Sequence, residues 1–263
     1  MRRVIGTALA LVTALCTAAA PAAAQGSDDP VQVVVAVDGQ DVAGRTVEFD
    51  PGRPVEVEVR VRNSGRETAK VRLVRVSGES LALTFFAYDT TVPFEVAPGG
   101  EETRAFPLDV RDLDGQAIGL LPTSVELLDD DREVVAAADT VVDVRGSLWS
   151  VYGVFGLALL ALTAALWAGA LLALARHRVS PNRFRRALRF LPAGVGTGLV
   201  AVVTLSVLRL VAPEPAVEIP VVLAAAAIAL LLGFSTPHPT AEPEPPVVDD
   251  GETVALSTQR VVS

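Results

Sequence analysis

Residues 147–175, SLWSVYGVFGLALLALTAALWAGALLALA, run for 29 positions without a charge. About 20 apolar residues in a helix cross a bilayer, and backbone in lipid must satisfy its own hydrogen bonds. This stretch therefore reads as a transmembrane helix. Two more apolar runs follow, at 190–211 and 219–235. The third is the shortest and is rich in alanine, so a re-entrant or interfacial segment is its alternative. Trp149 and Tyr152 open the first run. Their amphipathic rings suit the headgroup layer, which makes them expected interface anchors.

The stretch between the first two runs, 176–189, reads RHRVSPNRFRRALR. It gathers Arg176, Arg178, Arg183, Arg185, Arg186 and Arg189 in a chain whose formal net charge is -9. Short basic loops stay on the cytoplasmic side of a membrane. These arginines are thus expected to set topology, and each also attracts anionic lipid headgroups by about 1 kcal/mol. Nucleic acid is not an expected partner, because the loop is short, has one aromatic (Phe184) and lacks a recognition fold. Ser180-Pro181 reads as a turn.

The N-terminal residues 1–24 have the parts of a secretory signal: Arg2 and Arg3, an apolar stretch to about Ala18, and small residues before Gln25. Cleavage is expected after Ala24. An uncleaved anchor is the alternative, disfavoured by a short apolar stretch that ends in Ala and Pro. Cys16 is the only cysteine and follows Leu15 rather than a small residue, so lipidation is not expected. The mature chain would then hold no disulfide, thiolate metal site or cysteine nucleophile. A cleaved signal places residues 25–145 outside. The first span then carries the arginines inside, the second returns to an acidic outer loop (212–218), and the third leaves the tail, 236–263, in the cytoplasm. That tail is rich in proline and acid without a periodic apolar face, so disorder is expected.

After a linker at 25–30, residues 31–145 read as strands. In PVEVEVRVRNSG, Val55, Val57, Val59 and Val61 alternate with charges, which places the valines on one face of a strand. Asn63 to Gly65 then supplies a turn. In AKVRLVRVSG the pair Leu73-Val74 breaks the alternation, as at a bulge. Short strands with regular turn signals and no helical period indicate an antiparallel β-sandwich. Residues 25–148 hold 24 acidic against 12 basic residues, a balance that keeps a domain soluble beside an anionic membrane. The motifs VEVEVRVRNSG, FEVAPGGEETRAFPLDV and GLLPTSVELLDDD resemble the CARDB/NEW3-like group of immunoglobulin-type surface domains of bacteria and archaea, over about residues 45–145. The resemblance implies an immunoglobulin-like sandwich with an adhesive, spacer or partner-binding role, and carries over no catalytic residue.

No set of residues in the sequence suggests catalysis. His177 and His238 are the only histidines and fall in the loop and the tail. Asp129 to Arg132 (DDDR) is the obvious cation candidate, yet consecutive Asp side chains at a hairpin tip diverge, so a solvated turn is expected. GVGTG, 194–198, lies in an apolar run without a preceding strand, which excludes a dinucleotide loop. Gly194 and Gly198 are four apart and form a small-residue face for helix packing, in this chain or with another. Arg209, the charge in the second run, is expected to snorkel to the outer interface. No enzyme activity, cofactor or metal is expected. The expected partners are the lipid bilayer and a protein at the envelope or in the membrane. The chain reads as a multi-pass cell-envelope membrane protein whose exported domain binds or spaces a partner, with an accessory subunit of a transport or secretion complex as the alternative.

Overall fold

The computed structural model describes residues 30–176 and 182–236. The signal segment, most of the linker, Arg178, both histidines, Ser180-Pro181 and the tail beyond residue 236 lie outside the described residues.

The alternating valines organise the first sheet. Strand β4 (Val55–Asn63) buries Val55, Val57, Val59 and Val61 completely and turns its charges outward. On one side it pairs antiparallel with β1 (Val31–Val37), which carries the two-residue β2 (Gln40–Asp41) at the edge. On its other side lies β7 (Glu101–Leu108), again antiparallel, with Val57 opposite Phe106. The second sheet has the order β3 (Thr46–Phe49), β9 (Val134–Val144), β8 (Gly119–Leu128), β5 (Ala69–Ser80), β6 (Leu83–Val96). Val35 and Val59 of the first sheet share one apolar core with Val76, Leu121, Val125 and Val142 of the second. Two sheets enclosing one core follow from the alternating pattern.

Two local features depart from a plain antiparallel arrangement. Strand β3 pairs parallel with β9, Thr46 opposite Val141. The chain changes sheets between β2 and β3 and reaches the free edge of β9 from the other layer. Thr140 Oγ1 holds that crossing by donating to the carbonyls of Val42 and Arg45, 3.3 Å each. The bulge expected near Leu73 is present as a register shift between Val71 and Leu73. Ala69 and Val71 are buried before it, Val74 and Val76 after it. One extra residue moves the inward set by one position, which explains the broken alternation.

Asn63, 1% exposed, ties the layers together at the expected turn. Its Nδ2 donates to the carbonyls of Glu67 (2.7 Å) and Val96 (2.9 Å), and its Oδ1 accepts from Gly65 N (2.9 Å). Asn63→Ala should cost about 1–3 kcal/mol for each carbonyl left without a donor. Thermal melting of the full chain in detergent checks this, with Ser64→Ala, which removes only an exposed bond to Pro30 O, expected to melt close to the wild type.

Helices appear where the charge-free runs begin, with shifted boundaries. A single turn, α1 (Leu113–Gln116), interrupts the strand region and buries Leu113. Helix α2 (Val151–Ala175) starts at residue 151 rather than 147, because Ser150 Oγ accepts from Gly153 N and caps it. Helix α3 (Arg183–Val207) starts seven residues before 190. Asn182 Oδ1 accepts from Phe184 N at 2.9 Å, and the Arg, Ala and Leu that follow are good helix formers. Arg183, Arg185, Arg186 and Arg189 therefore belong to helix rather than loop. Helix α3 ends at Val207, since Arg209 takes a left-handed φ of 59° and its N–H turns back to Ser206 O. Helix α4 (Pro215–Ser235) starts on a proline, which suits a first turn whose N–H groups lack partners. The connection between the last two helices is thus 208–214 instead of 212–218. All three long helices are long and apolar enough to cross a membrane, the third run included. Helix α3 packs against both α2 and α4 and is the most buried of the three.

Candidate functional site

The glycine face is used within the chain. A Cβ on Gly194 would sit 2.4 Å from Ala229 Cβ and 2.9 Å from Ala225 O, and one on Gly198 would sit 2.6 Å from Val222 Cα. Without side chains at these two positions the backbones of α3 and α4 approach closely. Gly196, on another side of α3, faces Thr163 of α2 in the same way, at 2.4 Å from Thr163 Oγ1.

The arginines divide into two groups. Arg176, Arg183, Arg185 and Arg189 are exposed around one end of the helices, as suits headgroup contact. Arg186 is 2% exposed. Its Nε donates to Gly233 O of α4 at 3.2 Å. The last carbonyls of a helix lack intrahelical donors and form its negative pole, so the guanidinium caps the end of α4. Its place is inside the helix layer rather than at the lipid surface.

The aromatic anchors divide as well. Trp149 is 81% exposed at the start of the first run. Tyr152 is fully buried, because the sandwich covers it. Its ring meets Phe85 edge-on at 4.6 Å between centroids, and its hydroxyl lies 3.4 Å from Ser80 Oγ. Phe85 also touches Phe155.

These contacts belong to a junction that seats the sandwich on the helix ends. Gly119, at φ 88°, brings the start of β8 onto the end of α3, where a Cβ would meet Ser206 O at 2.4 Å. Ser206 Oγ donates to Leu120 O at 2.6 Å. Arg209 Nε donates to Asp143 Oδ1 at 2.6 Å, and its Nη2 donates to Val144 O at 3.3 Å. Rather than snorkelling to lipid, Arg209 makes a charge-assisted bond to a carboxylate that is only 15% exposed. Elsewhere in the junction, Glu218 in the first turn of α4 accepts from Leu81 N at 2.8 Å. Leu81 and Ala82 form the β5–β6 turn with φ of 53° and 58°. Two non-glycine residues in that region cost about 1–2 kcal/mol each, and the bond to Glu218 offsets part of that cost. The partners in these pairs lie 65 to 137 positions apart, so no local motif announces them.

The junction can hold and orient a domain. The Asp129 turn folds on itself: Asp129 Oδ1 accepts from the N–H groups of Asp131 and Glu133, 2.9 Å each. Among the described residues no three His, Cys, Asp or Glu side chains come together as a metal would need.

No family model matches the chain, and no curated protein matches it. Among solved structures it is similar to the sporulation control protein Spo0M of Bacillus subtilis, at 15% identity and a TM-score of 0.31 over 50% of this chain and 56% of that one. It is similar to the alkylpurine DNA glycosylase AlkC of Pseudomonas fluorescens at 11% identity and a TM-score of 0.29, over 44% of this chain and 31% of that one. A third likeness is to the C-terminal domain of wzt, at 11% identity and a TM-score of 0.31 over 45% and 75%. The chain spans less than two thirds of the sporulation protein and of the glycosylase, and likenesses this distant assign neither family nor activity.

Proposed function

We propose that this membrane protein displays an exported, immunoglobulin-like sandwich that binds or spaces a protein partner at the cell envelope, and that it catalyses no reaction. The observation that carries this reading is the junction. Arg209–Asp143, Ser206–Leu120 and Glu218–Leu81 seat the sandwich directly on the helix ends. A domain held in this way presents its outer sheet faces at a fixed height and angle to whatever approaches, which lowers the ordering cost of association. The resemblance of residues 45–145 to CARDB/NEW3-like surface domains points the same way. In this reading the arginine end is cytoplasmic and the sandwich extracytoplasmic, from the signal segment and the basic stretch together.

A photoreactive residue placed at Arg60, on the outer face of β4, or at Ala137, on that of β9, tests the reading in intact cells. The expected result is a discrete protein adduct at Ala137. Absence of an adduct at both positions, with no phenotype on removal of residues 31–145, overturns it. The alternative of an accessory subunit in a transport or secretion complex drew on the glycine face of α3. Helix α4 fills that face, so a partner helix would dock on the remaining surfaces of α2 or of α4, both largely uncovered.

A further inference from the structure

The solvent face of the second sheet carries a feature that the seating on the helices leaves unused. Cross-strand register sets Ser77 opposite Ala87 on one side and Ser124 on the other. Three small residues thus lie in a row across β6, β5 and β8. The next row is Asp89, Arg75 and Glu126, all long or charged. Short side chains beside long ones leave an open trough of about 580 Å³, bounded at its other end by Glu79 and Thr84. That volume is in the range of a site for a small organic group and far beyond that of a bare ion.

Its charge is negative and incompletely matched. Arg75 is committed to Asp89 through two bonds, Nε to Oδ1 at 2.8 Å and Nη2 to Oδ2 at 3.0 Å. That pairing holds the Asp89 carboxyl below the usual carboxylate range. Glu126 feels Arg75 only through space and has no hydrogen bond or salt bridge among the described residues. Glu79 has only the Thr84 hydroxyl, at 3.2 Å. Two carboxylates therefore remain without a bonded cation, on opposite sides of Ser77. At about 3.3 Å per residue, Glu79 and the Arg75 row each lie roughly 7 Å from Ser77 along β5. Ser77 is 7% exposed as a residue, and its hydroxyl, which bonds no other described residue, keeps its remaining contact with solvent at the trough floor.

We propose that the trough receives a lysine side chain presented by an extended segment of an exported partner protein. Its aliphatic stem lies along Ala87, and its ammonium sits over Ser77, donating to Ser77 Oγ and attracted through space by the carboxylates of Glu79 and Glu126 on either side. A compact ammonium suits a hydroxyl flanked by two carboxylates that no cation neutralises. An anionic ligand would meet two unneutralised carboxylates, and a hard divalent cation needs six or more converging oxygens. The assignment rests on the partner-binding role proposed above and names the chemistry of the partner.

The test uses the full chain in detergent at low ionic strength. The probe is a fluorescent nonapeptide of alternating serine and lysine, read by anisotropy against the same peptide with acetylated lysines. Saturable binding of the lysine peptide is expected, with at least a tenfold loss on acetylation. Glu79→Gln and Glu126→Gln should each weaken binding about threefold, in line with partly exposed ion pairs. Ser77→Val, which changes no charge but fills the floor, should weaken it as well. Glu56→Gln with Glu95→Gln, an equal charge change outside the trough, should leave it unchanged. Equal loss in that control pair, no effect of Ser77→Val, equal binding of the acetylated peptide or no binding by the wild type each overturns the assignment. In cells the two ideas separate: an Ala137 adduct that persists in the Glu79→Gln, Glu126→Gln double variant removes the trough but keeps a partner, whereas no adduct at all removes the partner-binding role.

Discussion

Gly198→Leu should unseat α4 from α3 and destabilise the protein itself. An added Cβ meets Val222 Cα at 2.6 Å, and backbone cannot rotate away as a side chain can. The two helices must separate or slide, and overpacking of this kind costs about 1–3 kcal/mol. Gly194→Leu meets Ala229 Cβ and Ala225 O and should act alike. Gly169→Leu is the matched control, since a Cβ there meets nothing within 4 Å. Thermal melting of the purified protein in detergent should show a large drop for positions 194 and 198 and little change for 169. Unchanged melting of Gly198→Leu, with loss of a co-purifying protein, would instead place the partner of this face outside the chain.

The second large effect is expected at Arg186. Arg186→Leu removes the guanidinium that caps α4 through Gly233 O. Hydrogen bonds to charged groups are worth about 1.5–3 kcal/mol, and the buried space left behind adds to the loss. Arg185→Leu, one residue away and exposed, should stay within about 0.5 kcal/mol of the wild type. Arg186→Lys keeps the charge on a shorter stem without the guanidinium fork and should fall between them. Melting in detergent distinguishes the three. Topology should survive in all of them, because the other arginines of the stretch retain the positive bias. A contribution to stability confined to Arg186 separates the buried arginine from its exposed neighbours.

How much of the molecule is legible in its sequence depends on the range of each interaction. The valines of β4, the bulge near Leu73 and the three apolar runs were legible, because period and length are local properties. Helix boundaries shifted where caps decided them: Ser150 and Asn182 each begin a helix, and the Asn182 cap draws the arginines into α3. Once α3 starts at Arg183, Arg186, Phe190, Gly194 and Gly198 fall four apart on one face. That spacing was the available signal for a buried arginine, hidden as long as 176–189 counts as loop. Glycines 194 and 198 were recognisable as packing residues, while their partner helix was open until α4 was seen against them. Nothing local marks Tyr152 as covered, Arg209 as the partner of Asp143, or Glu218 as the acceptor for a strained Leu81–Ala82 turn. Those depend on how the sandwich seats on the helices. The parallel β3–β9 pair was equally out of reach, since strand direction at a sheet edge is set by where the chain crosses layers.

The most direct test of an exported sandwich above three spans is cysteine accessibility in intact cells. Single cysteines at Arg132, Ser180, Ala216 and Ser257, in a Cys16→Ser background, would be treated with a membrane-impermeant maleimide. Labelling at 132 and 216 only is the expected result. It would place the sandwich and the first turn of α4 outside, and the arginine stretch and the tail inside. Labelling at 180, or at 257 together with 216, would contradict it: the first inverts the topology, and the second means that α4 does not cross.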